Sequence, residues 1–133
     1  MKILNGFTLL FILSGFSLAE ELQFEHLSVS DGLSQPVILC ILQDSKGLMW
    51  FGTEDGLNRY DGYKFTIYKR EPNNPNSLSG NYIWSIQEDS EGILWVGTNE
   101  GLNRFDTIHQ TVKRYYHDEN NPTSLSHSDV RAV

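Results

Sequence analysis

An all-β fold assembled from propeller blades is the architecture this sequence predicts, and three observations carry the prediction. First, Asp44–Asp61 (D-S-K-G-L-M-W-F-G-T-E-D-G-L-N-R-Y-D) returns as Asp89–Asp106 (D-S-E-G-I-L-W-V-G-T-N-E-G-L-N-R-F-D), 45 residues further on. Extending the alignment back to Leu33 and Leu78 gives 29 paired positions with 15 identities. Second, short apolar runs alternate with Asp- and Gly-rich turns of two to four residues, four runs to each copy. Third, Asn73-Asn74-Pro75-Asn76-Ser77-Leu78-Ser79 is echoed by Asn120-Asn121-Pro122-Thr123-Ser124-Leu125-Ser126, so the same connection follows each copy. A period in this range, with four short strands per unit, is the pattern of propeller blades built as antiparallel meanders.

The elements of the first blade, 33–77, follow from local chemistry. Val37–Leu42 is an apolar, β-branched run suited to a buried strand. Asp44-Ser45-Lys46-Gly47 is a turn headed by Asp and closed by a Gly able to take positive φ. Leu48–Gly52 is the second strand, Thr53–Gly56 the second turn and Leu57–Tyr60 the third strand. Asp61-Gly62 turns the chain into Lys64–Tyr68, where Phe65 and Ile67 alternate with polar neighbours. The second blade, 78–124, repeats this plan. Its strands are Tyr82–Gln87, Ile93–Gly97, Leu102–Phe105 and Thr111–Tyr115, and its turns Asp89–Gly92 and Thr98–Gly101. Two residues are gained around Thr107–Gln110. A third blade opens at Leu125, and 125–133 hold only its first strand.

Closure limits what these blades do alone. A propeller closes with about four to eight blades, and repeat units bury their faces only against neighbours. Two blades and a fraction leave sheet faces open, so the sequence reads as the N-terminal piece of a longer polypeptide. Residues 20–32 form a leader in which Gln23–Leu27 is a candidate ring-closing strand.

Composition narrows the partners. The formal charge is −7, with 10 Lys and Arg against 17 Asp and Glu and no basic cluster. That excludes nucleic acid and anionic membrane surfaces as natural partners of this region. Met1–Ala19 reads as a secretory signal peptide: Lys2 in the n-region, the apolar Phe7–Phe16, and Ser17-Leu18-Ala19 before the cleavage point. The apolar stretch is short for a membrane span and interrupted by Ser14 and Gly15. The mature chain is therefore expected to be exported and periplasmic. Cys40, the one cysteine, sits inside an apolar run and is expected to be an inert buried side chain.

The pattern D-x-x-G-x-L/M-W-x-G-T-x-x-G-L-N-R-Y/F-D, preceded by L-S-x-x-x-I-x-x-I, closely resembles the two-component regulator propeller repeat. The opening Leu27–Ser34 also resembles the start of such sensors. The resemblance covers about Phe24 to Val133. It implies a non-catalytic, extracytoplasmic ligand-sensing region of a receptor whose output is a histidine kinase or a diguanylate cyclase. It further implies a small-molecule or oligosaccharide ligand and a homodimeric full-length receptor. The membrane would be engaged only through a downstream segment, and any catalysis would lie beyond Val133. The other reading is an exported propeller that binds or acts on glycans. The turn D-x-x-G-x-x-W resembles, besides, the Asp-box of sialidase-like propellers, where it is structural; the arginine cluster of a sialidase site is missing here.

Residues common to both copies are assigned to the frame. Trp50 and Trp95 recur, which favours packing between blades over sugar stacking, since a ligand site needs no copying. Asp44 and Asp89 are expected to cap their turns; a calcium loop would need alternating acidic ligands. Gly47, Gly52, Gly56, Gly92, Gly97 and Gly101 recur as frame glycines, and Arg59 and Arg104 with Asp61 and Asp106 are expected to form repeated ion pairs between neighbouring strands or blades. Function belongs where the copies differ, at the residues opening each first strand. Gln35, Asn81, Tyr82 and Asp129 are the candidate ligand-binding residues, facing the mouth of the central channel if the first strand is innermost. Trp84 departs from its counterpart Leu39. His26, His109, His117 and His127 have no metal-ligand spacing, and neither a nucleophile elbow nor a phosphate loop is present, so no catalytic residue, metal or cofactor is predicted.

Overall fold

The computed structural model describes residues 23–133. The signal-peptide reading of Met1–Ala19 and the first leader residues lie outside them. Two four-stranded antiparallel meanders make up the fold. In the first, β1 (Ile38–Gln43), β2 (Met49–Thr53), β3 (Gly56–Tyr60) and β4 (Phe65–Tyr68) pair in chain order. In the second, β5 (Ile83–Glu88), β6 (Leu94–Thr98), β7 (Gly101–Asp106) and β8 (Thr111–Tyr115) do the same. A short 3-10 turn, Val29–Asp31, precedes them, and Gln23–Leu27 joins no ladder. The expected blade architecture is what forms.

Each turn holds because side chains satisfy its amides. Asp44 Oδ1 accepts from the N–H groups of Lys46 (3.0 Å) and Leu48 (2.9 Å), while Oδ2 accepts from Trp50 Nε1 at 2.8 Å. Asp89 does the same for Glu91, Ile93 and Trp95, at 2.9, 3.0 and 2.9 Å. The indole bond, first among these, draws the Asp89 carboxyl below the usual range. Asp therefore fixes both the turn and the repeated tryptophan.

A second polar device recurs inside each blade. Asn58 Nδ2 donates to Ser34 Oγ (2.8 Å), Ser34 Oγ lies 3.0 Å from Thr53 Oγ1, and Thr53 Oγ1 donates to the Gly56 carbonyl at 2.9 Å. Asn103, Ser79, Thr98 and Gly101 copy the relay at 2.9 Å throughout. Both asparagines and both threonines are fully buried. A polar chain in such surroundings is stable only when every member is bonded, and these are.

The hydrophobic core lies between the blades. Trp50 and Leu57 of the first blade meet Leu78, Ile83, Leu94, Val96 and Phe105 of the second, and all seven are buried. Phe105 stands edge-on to Trp50 at 6.1 Å and to Tyr68 at 5.0 Å. The strand β5 packs on β1 and β2, so the blades converge at their first strands. Gly52 permits this approach: a Cβ there would meet Cys40 Sγ at 2.3 Å and Ile83 Cγ2 at 2.8 Å. Across the blades, Glu88 accepts from Ser45 N (2.7 Å) and Oγ (2.8 Å), and Arg70 pairs with Glu100. Trp95, at the position of Trp50, is only half-buried and stacks on Tyr115 at 6.0 Å.

Residues 125–133 have no ladder pairing, yet they begin the same plan again. Val130 donates its N–H to the Thr98 carbonyl at 2.9 Å and covers Gly97 as Ile83 covers Gly52.

The expected pairs of Arg59 and Arg104 with Asp61 and Asp106 do not form. The aspartates cap their own turns instead. Asp61 Oδ1 accepts from Tyr63 N and Lys64 N, and Asp106 Oδ1 from Ile108 N and His109 N. Arg59 reaches Thr66 Oγ1 at 3.4 Å on the neighbouring strand, and Arg104 faces Glu91 at 3.7 Å.

Candidate functional site

Both first strands carry a bulge at the same repeat position. Ile38 pairs with Thr53 and Cys40 with Gly52, which leaves Leu39 as the extra residue; Ile83 pairs with Thr98 and Ser85 with Gly97, which leaves Trp84. A bulge interrupts the strict alternation of side chains and re-aims one of them. Neither Leu39 nor Trp84 belongs to the core between the blades. The corresponding position at the third opening, placed by the match of Val130 to Ile83, is Arg131.

These positions come together at the inner strands. The Trp84 ring lies 4.2 Å from that of Tyr82, tilted by 45°. The Arg131 guanidinium sits over the Trp84 ring at 4.9 Å from its centroid. Asp129 Oδ2 accepts from Arg131 Nε at 3.0 Å, which fixes the orientation of the guanidinium. On the other side, the Tyr82 hydroxyl donates to Glu54 Oε1 at 2.9 Å, and Gln35 Nε2 donates to Glu54 Oε2 at 3.3 Å. Glu54 occupies the β2–β3 turn, at the same end of the blade as the start of β1. Its hydrogen bond to Tyr82 stabilises the protonated phenol and raises the phenol pKa. Trp84 Nε1 is enclosed without an acceptor among the described residues.

Of the four residues singled out from sequence, three enter this row. Gln35 and Tyr82 meet through Glu54, and Asp129 enters through Arg131. Asn81 does not take part through its side chain: its Oδ1 accepts from Arg70 N (2.7 Å) and its carbonyl from Gly56 N (2.7 Å), so it locks the connection between blades. Glu54 and Arg131 were missed. Glu54 differs from Asn99 in the second copy, and Arg131 aligns with Trp84 once the 47-residue spacing is applied, so both signals were present. Among the described residues no cluster of His, Cys, Asp and Glu has a metal-binding arrangement. The row offers stacking faces, one cation and hydrogen-bonding groups, the equipment for binding.

Repeated four-stranded meanders, cores between sheets and inner first strands define consecutive blades of a β-propeller. Residues 32–55 and 77–100 match the model of the two-component regulator propeller family. The chain is 45% identical over 56 residues to histidine kinase P4 of Formosa agariphila, an alignment covering 42% of this chain and 4% of the kinase. It is also similar to the extracellular domain of a protein described as a hybrid two-component system from B. thetaiotaomicron. The identity there is 32% and the TM-score 0.73, over 79% of this chain and 15% of that one. A second such extracellular domain from B. thetaiotaomicron matches at 32% identity and TM-score 0.52, over 65% of this chain and 12% of that one. The chain thus spans a small share of the length of the relatives it matches.

Proposed function

We propose that these blades form the non-catalytic, ligand-sensing part of an extracytoplasmic receptor region that signals to a histidine kinase or a diguanylate cyclase. The observation that carries this reading is the contrast between frame and mouth. The Asp–Trp turn, the Asn–Ser–Thr relay and the packing glycines are copied, whereas the equivalent positions Leu39, Trp84 and Arg131 differ, and Arg131 and Tyr82 both pack on Trp84. A fold that holds its frame constant and varies one convergent set of side chains is suited to recognition. Likeness to extracellular domains supports an extracytoplasmic place, as does the signal-peptide character of Met1–Ala19. Ligand capture would shift the arrangement of paired propellers and pass through a membrane helix of the full-length receptor.

The test is made in reporter cells that express the full-length receptor and are fed oligosaccharide digests one at a time. At least one digest is expected to change output. Trp84→Ala should then move the half-maximal dose at least tenfold at unchanged receptor abundance, while exposed Ile108→Ala leaves it in place. Silence of the wild type toward every digest, or an unchanged dose for Trp84→Ala, overturns the reading.

A further inference from the structure

The geometry points to a carboxylate as the group read at Arg131, on a ligand held next to the Trp84–Tyr82 pair; this rests on the sensing role proposed for the same residues. The argument is one of unused hydrogen-bonding capacity. Arg131 spends its Nε edge on Asp129, at 3.0 Å, while its two terminal nitrogens make no hydrogen bond among the described residues. A guanidinium held through Nε presents one N–H from each of its two terminal nitrogens as a planar fork, which matches the two oxygens of a carboxylate. The guanidinium lies over the Trp84 ring, 4.9 Å from its centroid, so the indole supports the fork from beneath. Tyr82 packs on Trp84, its ring centroid 4.2 Å away and its plane tilted by 45°, and so fixes the indole in turn.

The opposite end of the row argues against a polyanion. Glu54 lies beyond Tyr82 and accepts a hydrogen bond from its hydroxyl, and the chain carries −7 overall. Anionic charge is therefore tolerated at one place, next to the single guanidinium, and repelled along the rest. A ring carrying one carboxylate fits this distribution; a densely sulfated or phosphorylated chain does not. The selectivity comes from the bulge position, since the frame around Leu39, Trp84 and Arg131 is otherwise repeated.

Carboxylates on sugars and on aromatic rings share this chemistry, and paired probes separate the sources. Binding to the intact extracytoplasmic region of the receptor is measured calorimetrically with glucuronate against glucose and with benzoate against benzyl alcohol. The acid of at least one pair should bind at least tenfold more tightly than its neutral partner, and the pair that does so names the source. Arg131→Met, which keeps the stem but removes the fork, should abolish that preference; Arg131→Lys should restore part of it. Equal binding of acid and neutral partner in both pairs overturns the carboxylate assignment, as does a preference that survives Arg131→Met, or an absence of binding. Where acid and neutral partner bind equally, loss of both in Trp84→Ala would still mark the Trp84–Tyr82 pair as part of a binding site, so that the sensing reading stands while the carboxylate falls.

Discussion

Removing the Asp44 carboxylate should be among the most damaging single changes in the first blade. Asp44 is 8% exposed and accepts three hydrogen bonds, two from turn amides and one from the fully buried Trp50 indole. A hydrogen bond to a charged acceptor contributes about 1.5–3 kcal/mol, and a buried donor left without a partner costs about 1–3 kcal/mol. The turn amides of Asp44→Ala can recover water, but Trp50 Nε1 cannot, so the expected loss is about 3–5 kcal/mol. Asp44→Asn offers a sharper comparison. Its Oδ1 still serves the two amides, while its NH2 opposes the indole donor, so one bond is lost and about 2 kcal/mol with it. With an m-value of about 1–3 kcal/mol per molar urea, Asp44→Ala should lower the midpoint by at least about 1 M and Asp44→Asn by roughly half as much. The assay is urea unfolding of the intact extracytoplasmic region, followed by tryptophan fluorescence. Equal damage from the two variants, or a loss below about 1 kcal/mol for alanine, refutes the assignment of the indole bond as the decisive one.

Other outcomes follow from the same geometry. Gly52→Ala places a Cβ inside contact distance of Cys40 and Ile83 and should destabilise by about 1–3 kcal/mol in the same unfolding assay, whereas Gly47→Ala meets no atom within 4 Å and costs only the strain of its positive φ. Hydrogen bonds, first from the His109 amide and then from its ring, pull the Asp106 carboxyl down to about 2. Because the folded value lies below the unfolded one, the stabilisation is complete above about pH 4 and is lost as pH falls through about 2. Carboxyl titration by NMR checks this, and Asp106→Asn should remove the corresponding acid-sensitive step. Burial pushes the Cys40 thiol up to about 11, so alkylation at pH 8 should run at least tenfold slower in the folded chain than in urea.

Much of the fold was legible because its signals are local. Asp at the head of a turn, Gly at its close and short β-branched runs between them set all eight strands to within a residue or two. The Asn–Ser–Thr relay was not legible. Asn58 and Thr53 are polar residues inside strands, and only the folded blade brings Ser34 to them. The arginine–aspartate pairs between strands or blades failed for a related reason: Asp61 and Asp106 stand where the strand ends and are claimed by their turn amides. At the candidate site, comparing copies located Gln35, Tyr82 and Asp129. Asn81 differs between copies for a structural reason, since it serves a connection that Pro36 does not. Glu54 and Arg131 escaped because they reach the row from a turn and from a third unit of which only the opening is present.

The bulge on the first strand has an evolutionary consequence. Leu39 and Trp84 sit at a bulged first-strand position that the core between blades does not use. Codon changes there are released from the selection that holds Trp50, Gly52 and Asn58 in place. Tandem duplication followed by drift at that position yields a ring of independently mutable side chains on an inherited scaffold. A lineage of such propellers can then change the chemistry of this position one blade at a time, without passing through unfolded intermediates.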